Sequence, residues 1–87
     1  MTDRELDQLR GRIAETDREI LALVSARLEL VRAIRARKEA LGVPFLDPQQ
    51  EERLLGRLRE ANAGPLSAEG VERLFREILK LTKTEST

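Results

Sequence analysis

The amino-acid sequence predicts an all-α fold of three helices, one long and two shorter. Apolar residues recur at the three- and four-residue spacing of a helix over most of the chain. The 87 residues include only three prolines and five glycines. The chain is rich in Leu, Arg, Glu and Ala, which lose little rotamer freedom in a helix, so helices are favoured over strands.

The long helix is predicted from Leu6 to Leu41, with no proline before Pro44. The apolar stripe between these ends comprises Leu9, Ile13, Ile20, Leu23, Val24, Leu30, Val31 and Ile34. Gly42 is placed to end the helix. Such a helix is roughly 58 Å long, whereas a compact domain of this size has a radius of gyration of only ~12 Å. The uncovered stripe therefore predicts a partner chain.

The two shorter helices are predicted from capping residues that follow a brief connector. Asp47 is the predicted N-cap of the second helix, with Pro48 at its first position, and Gly64–Pro65 is expected to stop it. Ser67 is the predicted N-cap of the third helix. The apolar stripe of this helix comprises Val71, Leu74, Phe75, Ile78 and Leu79. The polar residues 83–87 are expected to fray.

The composition limits the possible chemistry of what we interpret as one domain spanning residues 1–87. The chain has no cysteine and no histidine, so thiolate zinc sites, Cys-His and Ser-His-Asp catalysis are disfavoured, and neither a metal nor a cofactor is expected. Lys+Arg and Asp+Glu balance at 16 each, which argues against a protein that coats nucleic acid. No apolar stretch approaches ~20 residues and the acidic N-terminus is unlike a signal peptide, so a cytoplasmic location is expected.

Charged residues interrupt the apolar face of the long helix. Arg27 occupies a position in the row that otherwise holds apolar residues at seven-residue spacing. Lys38 lies eleven residues later, ~20° around the axis and ~16 Å along it, so both side chains can reach one small anion. An ordinary ion pair explains Arg27 equally well. Capping and the helix dipole likewise explain Asp47, Gln50 and Glu51 without any functional role.

A family resemblance covers the chain from about Leu6 to Thr82. The residues that carry it are, in order, Leu9, Arg10, Ile13, Asp17, Leu23, Ala26, Arg27, Lys38, Pro44, Asp47, Pro48, Glu51, Leu74, Phe75, Ile78 and Thr82. In their order and spacing the sequence resembles the all-α class of chorismate mutases. It is similar above all to the mutase domain at the N-terminus of certain 3-deoxy-heptulosonate-7-phosphate synthases.

The resemblance implies an intertwined helical homodimer with two equivalent pockets. One chain is expected to supply Arg27, Lys38, Asp47 and Glu51, and the other chain Arg10. The helix geometry agrees, because Arg10 and Arg27 are seventeen residues apart. That spacing puts them ~26 Å apart along a straight helix and ~100° around it, too far for one small ligand to reach both.

The resemblance also implies an isomerase that converts chorismate to prephenate in aromatic amino-acid biosynthesis. Arg10 and Arg27 would bind the two carboxylates of the substrate, a task that suits guanidinium groups. Lys38 would donate to the ether oxygen. Glu51, with the backbone of the preceding N-cap residue, would hold the ring hydroxyl, and Thr82 would line the pocket. Arg27, Lys38 and Glu51 are the expected catalytic residues.

The sequence departs from the family pattern at two substrate-binding positions. Gln50 stands where many relatives have an arginine, so this contact is either neutral here or replaced by Arg53 or Arg57. Ser86 stands in register with the Gln or Glu that faces the ether oxygen in relatives. The adjacent Glu85 would have to be protonated to donate in its place.

Two other functions remain open from the sequence. An isochorismate pyruvate lyase would use a similar pocket to release pyruvate from a related substrate. A helical interaction module, or a regulatory domain fused to or associated with a 3-deoxy-heptulosonate-7-phosphate synthase, would need no catalysis. Arg27 discriminates between these classes, because a module should tolerate leucine at this position and an enzyme should not.

Overall fold

A computed structural model describes residues 3–87 of the chain. Over these residues it consists of three α-helices, α1 (Arg4–Leu41), α2 (Pro48–Ala61) and α3 (Ala68–Glu85), without a strand. The predicted all-α class and the order of one long and two shorter helices are confirmed. None of the three helices is both long enough and apolar enough to cross a membrane.

The ends of the helices follow the local signals in the sequence. The side chains of Asp3, Asp47 and Ser67 each accept a hydrogen bond from the backbone N–H three residues later, at 3.2, 3.2 and 3.0 Å. α1 ends at Gly42, whose φ of 71° is a left-handed conformation that a side chain would strain. α2 ends at Ala61, slightly earlier than the Gly–Pro pair that was expected to stop it.

Most of α1 has no cover within its own chain. Every residue from 4 to 23 is exposed, and α1 contains no buried residue. The exposed apolar side chains of this half are Leu6, Leu9, Ile13, Ile20, Leu21 and Leu23. The molecule extends over 62 Å and has a radius of gyration of 17.0 Å, well above the ~12 Å of a compact chain of this size. Only the C-terminal half of α1 therefore takes part in a tertiary core.

The small core lies where α2 and α3 pack together. Leu55 of α2 is fully buried and Val71 of α3 is 5% exposed. Among the residues that the structure describes, Leu55 is the one large side chain removed completely from solvent. A core this thin makes each of its side chains important for stability.

Ion pairs connect the exposed faces of α2 and α3. A guanidinium nitrogen of Arg76 lies 2.6 Å from a carboxylate oxygen of Glu72 and 3.4 Å from one of Glu52. The hydrogen bond from Arg76 is the main reason that the pKa of Glu72 is lowered from its ordinary value. These groups are exposed, so solvent screens the pairs and they add little to stability.

The C-terminal residues do not fray as the sequence suggested, and this prediction was wrong. α3 continues to Glu85, and Ser86 is only 4% exposed. Two arginines of α1 hold this end: Arg32 donates to the backbone carbonyl of Glu85 at 2.9 Å, and Arg35 Nε donates to Ser86 Oγ at 3.2 Å. The polar composition of residues 83–87 could not reveal these long-range partners.

Leu55→Ala should lower the free energy of unfolding by about 2–5 kcal/mol, because it removes buried apolar contacts and leaves a cavity. Leu66→Ala is the control, since Leu66 lies outside the helices and is 48% exposed. Urea denaturation at one fixed protein concentration measures both losses. Equal losses for the two variants would contradict the central place of Leu55 in the core.

Candidate active site

A cavity of about 230 Å³ lies between the C-terminal half of α1, the α1–α2 connector, the start of α2 and the end of α3. Its polar wall is formed by Arg27, Lys38, Asp47, Gln50, Glu51, Arg57, Thr82 and Lys83. Its apolar wall is formed by Val31, Ile34, Phe45, Leu46, Leu54 and Leu79. The structure therefore brings together six of the residues expected from the sequence, which are Arg27, Lys38, Asp47, Gln50, Glu51 and Thr82.

Arg27 is fixed at the cavity by a hydroxyl group from α3. Its Nη1 donates to Thr82 Oγ1 at 2.9 Å, and that hydroxyl donates in turn to the backbone carbonyl of Ile78 at 2.7 Å. Thr82 is 8% exposed. Because its partner is neutral, Arg27 keeps its full charge for an anion in the cavity.

Lys38 is held by the connector between α1 and α2. Its Nζ donates to the backbone carbonyl of Phe45 at 3.2 Å. The Phe45 ring is in turn covered by the guanidinium of Arg35, 3.9 Å from the ring centre. The second cation of the cavity thus also has a neutral partner and a supported position.

Glu51 lies in the first turn of α2 and forms an ion pair across the cavity. Its Oε1 is 3.0 Å from Nζ of Lys83. Lys83 was not among the site residues expected from the sequence, because it was assigned to a fraying tail. A signal was available, because Leu79, Thr82 and Lys83 have the spacing that places residues on one face of a helix.

Gln50 and its neighbouring arginines settle where the positive charge near this position lies. Both Nε and Nη2 of Arg53 donate to Gln50 Oε1, at 3.3 and 3.1 Å. Arg57 lines the cavity whereas Arg53 does not. Of the two arginines considered as replacements at the Gln50 position, Arg57 is the one in the cavity wall.

Three expected site residues lie outside the cavity wall. Arg10 is on the exposed half of α1. Glu85 instead borders a shallow apolar groove between α1 and α3. Ser86 is buried against Arg35. The single chain therefore does not bring these three side chains to the cavity.

The charge of the cavity wall defines what it can hold. Arg27, Lys38, Arg57 and Lys83 exceed the two carboxylates of the wall by two positive charges. A small cavity with apolar walls and this excess suits a compact dianion with apolar parts. The fold and the site thus define a small all-α protein that binds an anionic molecule.

The chain belongs to the chorismate mutase type II family, whose model matches residues 9–86. The family resemblance inferred from the sequence is thereby confirmed. Among solved structures, the chain is similar to chorismate mutase from Thermus thermophilus in two crystal forms. Form II has a TM-score of 0.91 and 36% identity, with 95% of this chain and 94% of that chain covered. Form I has a TM-score of 0.88 and 38% identity, with 91% and 99% covered.

Curated relatives include longer proteins. The chain is 38% identical over 85 residues to the bifunctional chorismate mutase/prephenate dehydratase of Pseudomonas aeruginosa, which covers 91% of this chain and 23% of that protein. It is 34% identical over 56 residues to the chorismate mutase of Methanocaldococcus jannaschii, covering 64% and 57%. The chain therefore spans about a quarter of the Pseudomonas relative. The fusion partner named there is prephenate dehydratase, not the synthase that the sequence suggested.

Thr82→Val should lower the free energy of unfolding by about 1 kcal/mol, because it keeps the shape of the side chain but leaves Arg27 without its buried acceptor. Thr82→Ser keeps the hydroxyl and should cost less. Urea denaturation of both variants at one protein concentration measures the difference. A Ser variant less stable than the Val variant would show that packing of the methyl group, not the hydrogen bond, is what matters at this position.

Proposed function

We propose that this chain catalyses the rearrangement of chorismate to prephenate, an isomerisation in aromatic amino-acid biosynthesis. The observation that carries the proposal is the convergence of Arg27, Lys38, Glu51 and Thr82 on one cavity in a member of the chorismate mutase type II family. The proposed substrate is a dianion, which matches the excess of two positive charges in the wall. The whole of residues 1–87 is interpreted as the mutase domain.

The chemistry of the rearrangement suits these residues. The reaction is pericyclic, so it requires no nucleophile and no obligatory proton transfer. The enzyme has to hold the flexible enolpyruvyl arm over the ring and stabilise the negative charge that grows on the ether oxygen. Fixed cations in a cavity with apolar walls perform both tasks, because the electrostatic interaction is stronger where water is excluded.

Each cation has a distinct proposed role. Arg27, oriented by Thr82, binds a substrate carboxylate through its planar guanidinium. Lys38 exchanges its contact with the Phe45 carbonyl for the ether oxygen, where charge develops. Glu51 accepts a hydrogen bond from the ring hydroxyl. These assignments follow the family resemblance, and the shared cavity supports them.

A homodimer with shared cavities is the proposed assembly. The exposed apolar half of α1 supports it, because a second chain would cover this surface. In this assembly Arg10 of one chain completes the cavity of the other. Association with a 3-deoxy-heptulosonate-7-phosphate synthase and a cytoplasmic location remain predictions from the resemblance and from the sequence.

Arg27→Ala and Lys38→Ala should each lower kcat/KM for chorismate by about 100-fold or more, because each removes a cation from the cavity. Arg37→Ala is the matched control, since Arg37 is an exposed neighbour of Lys38 outside the cavity wall. Chorismate consumption is followed spectrophotometrically and helix content by circular dichroism. Wild-type protein that instead released pyruvate from isochorismate would be a lyase, and protein that turned over neither substrate would be a regulatory module.

The shared cavity is tested by mixing an inactive Arg10→Ala chain with an inactive Lys38→Ala chain, then unfolding and refolding them together. In each heterodimer one cavity takes Lys38 from the first chain and Arg10 from the second, so it is intact. With random pairing half of the dimers are mixed, and activity should return to about a quarter of wild type.

The control is a mixture of Arg27→Ala with Lys38→Ala chains. Both residues belong to the same chain's cavity, so every cavity of this heterodimer carries one lesion and activity should stay lost. Sedimentation measures the fraction of dimer. Recovery in the control, no recovery from confirmed heterodimers in the test, or a folded and active monomer would each contradict the assignment of Arg10 to the opposite chain.

A further inference from the structure

We propose that Lys83 is a positioning residue that holds the Glu51 carboxylate in the orientation in which it accepts the substrate hydroxyl. The inference rests on the proposed mutase function and concerns a residue that neither the sequence pattern nor the family resemblance assigned. Lys83 would act through Glu51 and not by contact with the reacting atoms.

The geometry joins the two residues across the cavity. Glu51 comes from the first turn of α2 and Lys83 from the last turn of α3, and both side chains line the wall. The Lys83 ammonium lies 3.0 Å from Oε1 of Glu51. The ion pair engages one carboxylate oxygen, and the second oxygen can accept a hydrogen bond from a hydroxyl group.

The charge of the substrate gives the pair its purpose. A carboxylate in the wall repels a dianion that enters the cavity, so Glu51 alone would weaken the binding that its hydrogen bond is meant to support. Lys83 offsets this charge at 3.0 Å. The paired Glu51 can therefore serve as a hydroxyl acceptor without repelling the substrate's carboxylates.

The pair is not needed to hold α3 in place. The side chains of Glu51 and Lys83 are 29% and 43% exposed, and pairs of this exposure add little to stability. The end of α3 is held separately by Arg32 and Arg35. Loss of Lys83 should therefore leave the fold intact and show itself in substrate binding.

The first test compares three variants of the full chain by steady-state kinetics. Lys83→Met should raise the KM for chorismate about fivefold and change kcat less than about twofold, the size expected for a partly exposed ion pair. Lys83→Arg should restore most of the binding. Lys80→Met removes the same charge from an exposed position of α3 outside the cavity wall and should leave KM unchanged.

A double-mutant cycle decides whether Lys83 acts through Glu51. In a Glu51→Gln background, Lys83→Met should change KM less than twofold. Calorimetric dissociation constants for prephenate replace KM for any variant with too little turnover to assay. A full fivefold effect in the Glu51→Gln background, or an unchanged KM in Lys83→Met alone, would overturn the inference. Wild-type protein without chorismate turnover would instead refute the proposed function itself.

Discussion

The length of α1 is the constraint on which the rest of the structure depends. A helix of 38 residues cannot be covered by the two short helices that remain in a chain of 87. α3 packs on its C-terminal half, while residues 4–23 stay exposed along a molecule 62 Å long. The cavity lies at the C-terminal half because that is where side chains from all three helices and the connector meet. The same length separates Arg10 from that cavity.

The polar groups of the cavity are organised by the charge of their partners. Arg27 is held by a hydroxyl group and Lys38 by a backbone carbonyl, both of them neutral, so each keeps its charge for an anion. Asp47 accepts a hydrogen bond from the start of α2. Glu51 is neutralised by Lys83. The cations that should meet the substrate are thus left uncompensated, whereas the carboxylates are occupied or paired.

The sequence predicted those parts of the structure that depend on local interactions. The helix ends follow from Asp3, Asp47, Ser67 and Gly42, and the eleven-residue spacing correctly brought Arg27 and Lys38 to one cavity. The end of α3 was predicted wrongly, because its stability comes from arginines some fifty residues earlier in the chain. Lys83 was missed for the same reason. A polar segment that is anchored by distant side chains has the same local pattern as one that frays.

Arg35 explains why a residue outside the cavity wall matters to the wall. Its guanidinium covers the ring of Phe45, and its Nε donates to Ser86 at the end of α3. Phe45 uses its ring for Arg35 and its backbone carbonyl for Lys38, so the connector is fixed from both sides. Ser86, expected to face the substrate, instead completes this support. The position of Lys38 therefore depends on contacts between α1, the connector and the last residues of the chain, because no single element orients its ammonium group alone.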